Sequence, residues 1–188
     1  MMKKLVCVFT ASLVLASSTS ALAAQTAFLK VKGQVQKTIA GGVTARGREG
    51  TSSVIATNHQ IISPRDAASG LPTGRRMHKE LSVTMEVDKS LPLLYRALVT
   101  NENLTEVTVQ YFRPPTGEAT ARAEEQQFYT VKLTNANISA IRFQQPNQLN
   151  PDTKGLPDTV TIDFTYQKIN WTWTDGNITS EDSWQTAI

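Results

Sequence analysis

The sequence predicts a mainly β protein, an antiparallel barrel or sandwich with one α-helix and one long loop. Three observations predict it. Short runs alternate apolar and polar residues with the period of strands that bury one face, as Leu81, Val83, Met85 and Val87 do against Ser82, Thr84 and Glu86. A single segment has helical spacing instead. No strand is followed by a helix in the βαβ rhythm that a parallel sheet requires.

The chain has 188 residues, 40% apolar and 19% charged, the composition of a globular protein rather than a disordered one. Residues 1–23 read as a secretory signal peptide. Lys3 and Lys4 precede the apolar run "LVCVFTASLVLA", and Ala21-Leu22-Ala23 offers the small side chains of a cleavage site at Ala21 and Ala23. The run is too short for a permanent membrane helix, and no second candidate follows, so the cleaved chain is expected to have no stable membrane insertion. Cleavage removes Cys7, the only cysteine, so the fold cannot depend on disulfides. It also removes two lysines and no acid, lowering the formal charge from +3 to +1. The basic precursor charge therefore says little about a nucleic-acid partner, and none is expected. Residues 24–188 read as one domain.

Along that domain "TAFLKVKGQV" and "SSVIATNHQII" read as strands, followed by the run from Leu81. In "DKSLPLLYRALVTN", Leu91, Leu94, Tyr95 and Leu98 share one face of a helix, with Ser90 placed to cap it and Pro92 tolerated in the first turn. Val107, Val109 and Tyr111 form the next strand, then Tyr129, Val131 and Leu133, then Val160, Ile162, Phe164 and Tyr166. Apolar parity switches after Tyr166, because Ile169, Trp171 and Trp173 are odd-numbered, and a bulge or strand end is expected near Gln167 and Lys168. "AGGVTARGREGTS", "RPPTGEATARAEEQ" and "QQPNQLNPDTKGLPD" read as loops, and "DGNITSEDSWQTAI" as a frayed tail.

The segment Ser63–Lys79, "SPRDAASGLPTGRRMHK", raises the functional question. Pro64, Gly70, Pro72 and Gly74 make it a loop, and a loop of this length in a compact domain usually has a function. It carries Arg65, Arg75, Arg76, His78 and Lys79 against Asp66, so it reads as a basic, exposed element that touches a partner. Catalytic chemistry has no agent. The only histidines are His59 and His78, at no metal-ligand spacing, and no G-x-S-x-G, H-E-x-x-H or Walker pattern occurs. His59 reads as packed within a strand, Glu124-Glu125 as a solvated pair, and Trp171 and Trp173 as core or interface residues. No cofactor and no metal are expected.

The blocks "PRDAASGLPTGRRMHKEL", "VDKSLPLLYRAL", "VTVQYFR", "FYTVKLTNANISAI" and "VTIDFTYQKINWTW" follow one another between about Ala27 and Trp173. Their succession resembles Hcp, the tube protein of bacterial type VI secretion. The resemblance implies a tight antiparallel β-barrel of two sheets flanked by one helix, six copies of which form a hexameric ring. Rings stack into a tube driven by a contractile sheath, with a spike protein at the tip and effector proteins in the channel. It implies no enzyme activity. It also implies that the loop containing Pro64, Arg65, Asp66, Gly70, Pro72, Thr73, Gly74, Arg75, Arg76, His78 and Lys79 projects from the barrel and stacks rings. The chain departs from the family pattern at Glu80, where many members have proline, and at Gln167 and Asn170, where they have arginine and glutamate. The leader departs too, since the family's tube assembles in the cytosol. It motivates an alternative, an exported oligomeric barrel acting outside the sheath as an adhesin-like or ligand-binding ring.

Overall fold

In the computed structural model, the described residues are 25–114 and 125–184. The leader with Ala21 and Ala23, and Glu124, lie outside them. In chain order the elements are β1 (Thr26–Gly33), β2 (Lys37–Ile39), β3 (Ser52–Asn58), β4 (Ile61–Ile62), β5 (Met77–His78), β6 (Leu81–Glu86), α1 (Leu91–Val99), β7 (Leu104–Arg113), β8 (Gln126–Gln144), β9 (Thr159–Trp173) and β10 (Ile178–Ser183).

Six strands close on themselves in the order β9-β6-β3-β1-β7-β8, with β8 pairing back to β9, and every pairing is antiparallel. Hydrogen bonding is continuous around the barrel, so the two expected sheets are two walls of one closed sheet. Closure leaves no free edge within the barrel. β10 lies outside the ring on β9, and β2 outside it on β1. The interior is filled: Leu29, Val83, Met85, Val107, Val109, Leu133, Ile162 and Phe164 are all buried in one cluster.

The helix forms where its spacing predicts. Leu91, Leu94 and Ala97 join the barrel core, whereas Tyr95, expected on the same face, is 37% exposed. Ser90 is at the cap position but makes no side-chain capping bond to the helix; its hydroxyl donates to Asp88 Oδ1 at 2.5 Å instead. Asp88 has drawn Ser90 away by also accepting from its backbone N–H at 2.9 Å. At the other end Asn101 takes a left-handed φ of 49°, and the Glu102 amide closes on Ala97 O at 2.8 Å.

Further sequence expectations are corrected. "SSVIATNHQII" is not one strand: β3 ends at Asn58, and His59 and Gln60 separate it from β4, so His59 is not packed within a strand. The tail is not frayed from its start, because residues 178–183 form β10, paired with β9 from Ile178↔Trp173 to Ser183↔Lys168. Glu125 is not simply solvated, for it meets Arg48 Nη1 at 2.6 Å. Arg48 itself lies over the rings of Phe28 and Phe112.

The parity switch in β9 is real, with Tyr166 and Ile169 both buried, yet β9 neither ends nor bulges there. The irregularity is on the opposite strand: Asn135 of β8 adopts φ 50°, and its amide donates to Gln167 Oε1 at 2.9 Å. β9 also changes partner at this point, from β6 up to Phe164 to β10 from Lys168 onward. A separate bulge falls between Ile138 and Ala140 of β8. Ser139 there donates its hydroxyl to Asp163 O at 3.2 Å.

Candidate functional site

The segment Ser63–Lys79 is not an irregular loop. It is an antiparallel arm whose base is the pair Ile61↔His78 and Ile62↔Met77, continued by the Lys79 amide on Gln60 O at 2.9 Å. Farther out, Arg65 bridges to Pro72, and the Thr73 amide donates to Pro64 O at 3.1 Å. The tip turns at residues 66–70. There Asp66 Oδ1 accepts from the Ala68 and Ser69 amides at 3.1 and 2.7 Å and from the Ser69 hydroxyl at 2.7 Å. Those bonds, from Ser69 first, hold the Asp66 carboxyl below its ordinary value. Gly70 has φ 70°, which only glycine adopts without strain. Gly74 does not turn the chain, since its φ is not positive and a side chain there would meet only Pro64 Cγ at 4.0 Å.

The arm's charges divide into two sets. Arg65, Arg75 and Lys79 are exposed, beside exposed Leu71 and Met77. A cleft of about 640 Å³ runs along the arm between Ile61, Arg65, Pro72 and Arg75. Arg76, which also lines this cleft, and His78 are tied to the strands beneath. The Arg76 guanidinium forks onto both oxygens of Asp182 on β10, donating from Nε and Nη2. His78 is buried, with Nε2 3.1 Å from Asp182 Oδ2 and Nδ1 2.9 Å from the Tyr166 hydroxyl of β9. His59 Nε2 reaches the same hydroxyl at 2.7 Å. Trp184 stacks on His78 with ring centroids 5.7 Å apart and meets Tyr166 edge-on at 5.6 Å. The basic, exposed element of the sequence reading is therefore exposed at Arg65, Arg75 and Lys79 only.

The electrostatics follow from this packing. The Arg76 hydrogen bonds hold the Asp182 carboxyl below the usual carboxylate range, and Asp182 in turn raises Arg76. Burial, reinforced by Asp182, pushes the Tyr166 phenol well above its ordinary value. Burial, then the neighbouring His78, lowers His59. Sequence reasoning gave Asp182 no role, read Tyr166 only as a strand residue, and left Trp184 in a frayed tail. A signal existed: Asp175-Gly176-Asn177 follows "INWTW", and Asp-Gly after a strand marks a hairpin. The hairpin is there, with Gly176 at φ 78° and Asn177 at φ 51°. At the family departures, Gln167 accepts from Asn135, and Asn170 Oδ1 accepts from the Thr172 hydroxyl at 3.0 Å.

A barrel filled by its own side chains encloses no substrate, and a hairpin fastened to its wall offers surface. Fold and site thus define a class, a closed antiparallel barrel with an anchored arm. The family model described as "Type VI secretion system effector, Hcp" matches residues 28–173, and the chain belongs to that family. It is 34% identical over 148 residues to the "Major exported protein" of Pseudomonas aeruginosa, covering 79% of this chain and 83% of that one. A crystal structure of an Hcp protein superposes with a TM-score of 0.76 at 29% identity, over 87% of this chain and all of the other. The secreted protein Hcp3 of Pseudomonas aeruginosa gives a TM-score of 0.67 at 27% identity, over 87% of this chain and 100% of its own. The chain is accordingly a type VI secretion protein, of a structural family rather than an enzyme family.

Proposed function

We propose that this chain is a tube subunit: six copies close into a ring, rings stack through the arm, and the stack carries effectors behind a spike and inside a contractile sheath. The observation that carries this reading is the division of the arm's charges, Arg76 and His78 bound to β9 and β10, and Arg65, Arg75 and Lys79 left exposed. An element held so firmly at its base is suited to present charge to a partner. The outer edges of β2 and β10 lie outside the closed barrel, and closed cyclic symmetry covers such edges.

The structure changes which arginines test docking. Arg76 is committed to Asp182, so the informative variant is Arg65→Ala with Arg75→Ala. Its barrel should stay folded, since exposed charges away from the core usually shift stability by less than about 0.5 kcal/mol. Ring–ring association, followed by sedimentation, should weaken, and the wild-type association should fall with added salt because rim charges are screened over about 10 Å at 0.1 M. Superimposable salt series for wild type and double variant would sink the docking role.

The leader supports a second reading, an exported adhesin-like or ligand-binding ring working outside the sheath. Export should then remove residues 1–23, so that N-terminal sequencing of secreted protein starts at Ala24. Secreted protein that begins at Met1 or Met2 would restore an ordinary cytosolic tube subunit. Release that depends on the contractile machinery favours the tube; release through the general export channel alone favours the ring outside it.

A further inference from the structure

Both histidines of the chain converge on one phenol, and the hydrogen bonds between them have a direction. The Asp182 carboxylate can only accept, so His78 Nε2 carries a proton and donates to Oδ2 across 3.1 Å. In neutral His78, Nδ1 is then the lone-pair nitrogen and takes the Tyr166 hydroxyl proton at 2.9 Å. The Tyr166 oxygen in turn accepts from His59 Nε2 at 2.7 Å. Every proton in the chain has one acceptor.

One added proton can be absorbed. If His78 gains it, Nδ1 becomes a donor, Tyr166 accepts there and turns its own hydrogen toward His59 Nε2, and the His59 proton sits on Nδ1. A second added proton cannot be. Both rings then donate to Tyr166, the phenol hydrogen loses its acceptor, and two imidazolium ions face one oxygen. The surrounding charges do not offset this. Asp182 is already forked by Arg76, Tyr166 stays protonated, Trp171 and Trp184 are neutral, and Lys79 and Glu80 on the adjoining cleft balance one another.

We propose that His59 and His78 form a pH-sensitive latch on the arm, which opens when both rings are protonated and frees the β4–β5 hairpin from Tyr166. The lowered His59 value agrees with this. Its contribution to the closed state is complete above the unfolded histidine value of about 6.5 and is lost as pH falls from there toward the folded value. Given the docking role proposed above, on which this consequence rests, rings should separate in mild acid.

Amide hydrogen exchange, corrected for its intrinsic pH dependence, tests the latch. Between about pH 7.5 and pH 5, protection at the Thr73 and Lys79 amides should fall on the order of tenfold, while that of β7 amides holds. In His59→Gln, whose amide can still bond Tyr166 but cannot charge, protection of the arm should be flat. Equal wild-type protection at both pH values, or an undiminished fall in His59→Gln, would overturn the proposal. Should that variant not fold, histidine ring resonances of the wild type decide: arm release must follow the second histidine to titrate, and release tracking neither ring overturns the latch. Sedimentation over the same range separates the two readings. An arm that is released while rings stay stacked refutes docking and leaves the latch standing, whereas an arm still held at pH 5 refutes the latch whatever the rings do.

Discussion

Phe164→Ala is expected to cost about 3–5 kcal/mol of folding stability. Phe164 is among the largest side chains with no exposure at all. It sits on β9 between Leu81 of β6 and Ile138 of β8, its register partners on either side. The position is in the wall that three strands share, and a closed barrel cannot contract around a lost ring without breaking its register. The cost therefore combines lost burial with an unfilled cavity. Set against a domain stability of roughly 5–15 kcal/mol, it is a large fraction. Urea unfolding at low protein concentration isolates the term of the single chain. The midpoint should drop with the slope unchanged. A loss below about 1 kcal/mol would mean that the barrel relaxes into the space, contrary to the argument from closure and register.

How much of this was legible follows from where each residue's partner lies. The barrel strands were readable because each buries alternate residues against a common core, and that period is printed in Val83 and Met85, in Val107 and Val109, and in Val160, Ile162 and Phe164. β10 has no such print. It lies outside the closed ring, with Ile178 through Asp182 exposed or half-buried, so it has no core face to record an alternation. The parity switch after Tyr166 was visible, but its cause is Asn135 on another strand and the exchange of β6 for β10. Arg76 and Arg75 are neighbours in a basic run, and nothing local distinguishes the one left exposed from the one that anchors. The distinction is made by Asp182, 106 residues from Arg76. His78 likewise reads as one more surface cation until Tyr166 and Trp184 bury it.

Asp182→Ala should therefore release the arm more completely than any change within the arm itself. The carboxylate is the single acceptor for the Arg76 fork and for His78 Nε2–H. Without it the Arg76 cation loses this partner, and the buried Nε2 of His78 loses the acceptor that fixes its tautomer. The barrel stays closed, because β10 is an addition to β9 and the six-strand ring does not pass through it. The expected signature is thus local. Trypsin cleavage at Arg75 and Arg76 should accelerate on the order of tenfold, the Trp184 fluorescence should change as its stack on His78 loosens, and ring association should fall, with the urea midpoint almost unmoved. Asp182→Asn, which keeps one acceptor oxygen but loses the charge and the fork, should lie between the two. Acid provides an independent check on the same contact. The folded Asp182 value is lowered, so its contribution is complete above the unfolded carboxylate value of about 3.9 and disappears as pH falls through the folded one. The loss at Asp182 starts below about 3.9 and that at His59 below about 6.5, so an arm freed in two separate acid steps would assign the first to His59 and the second to Asp182. Unchanged proteolysis in Asp182→Ala would show that the β4–β5 pairing and the Trp184 stack hold the arm without the fork, and that its charge division arises from something other than this anchor.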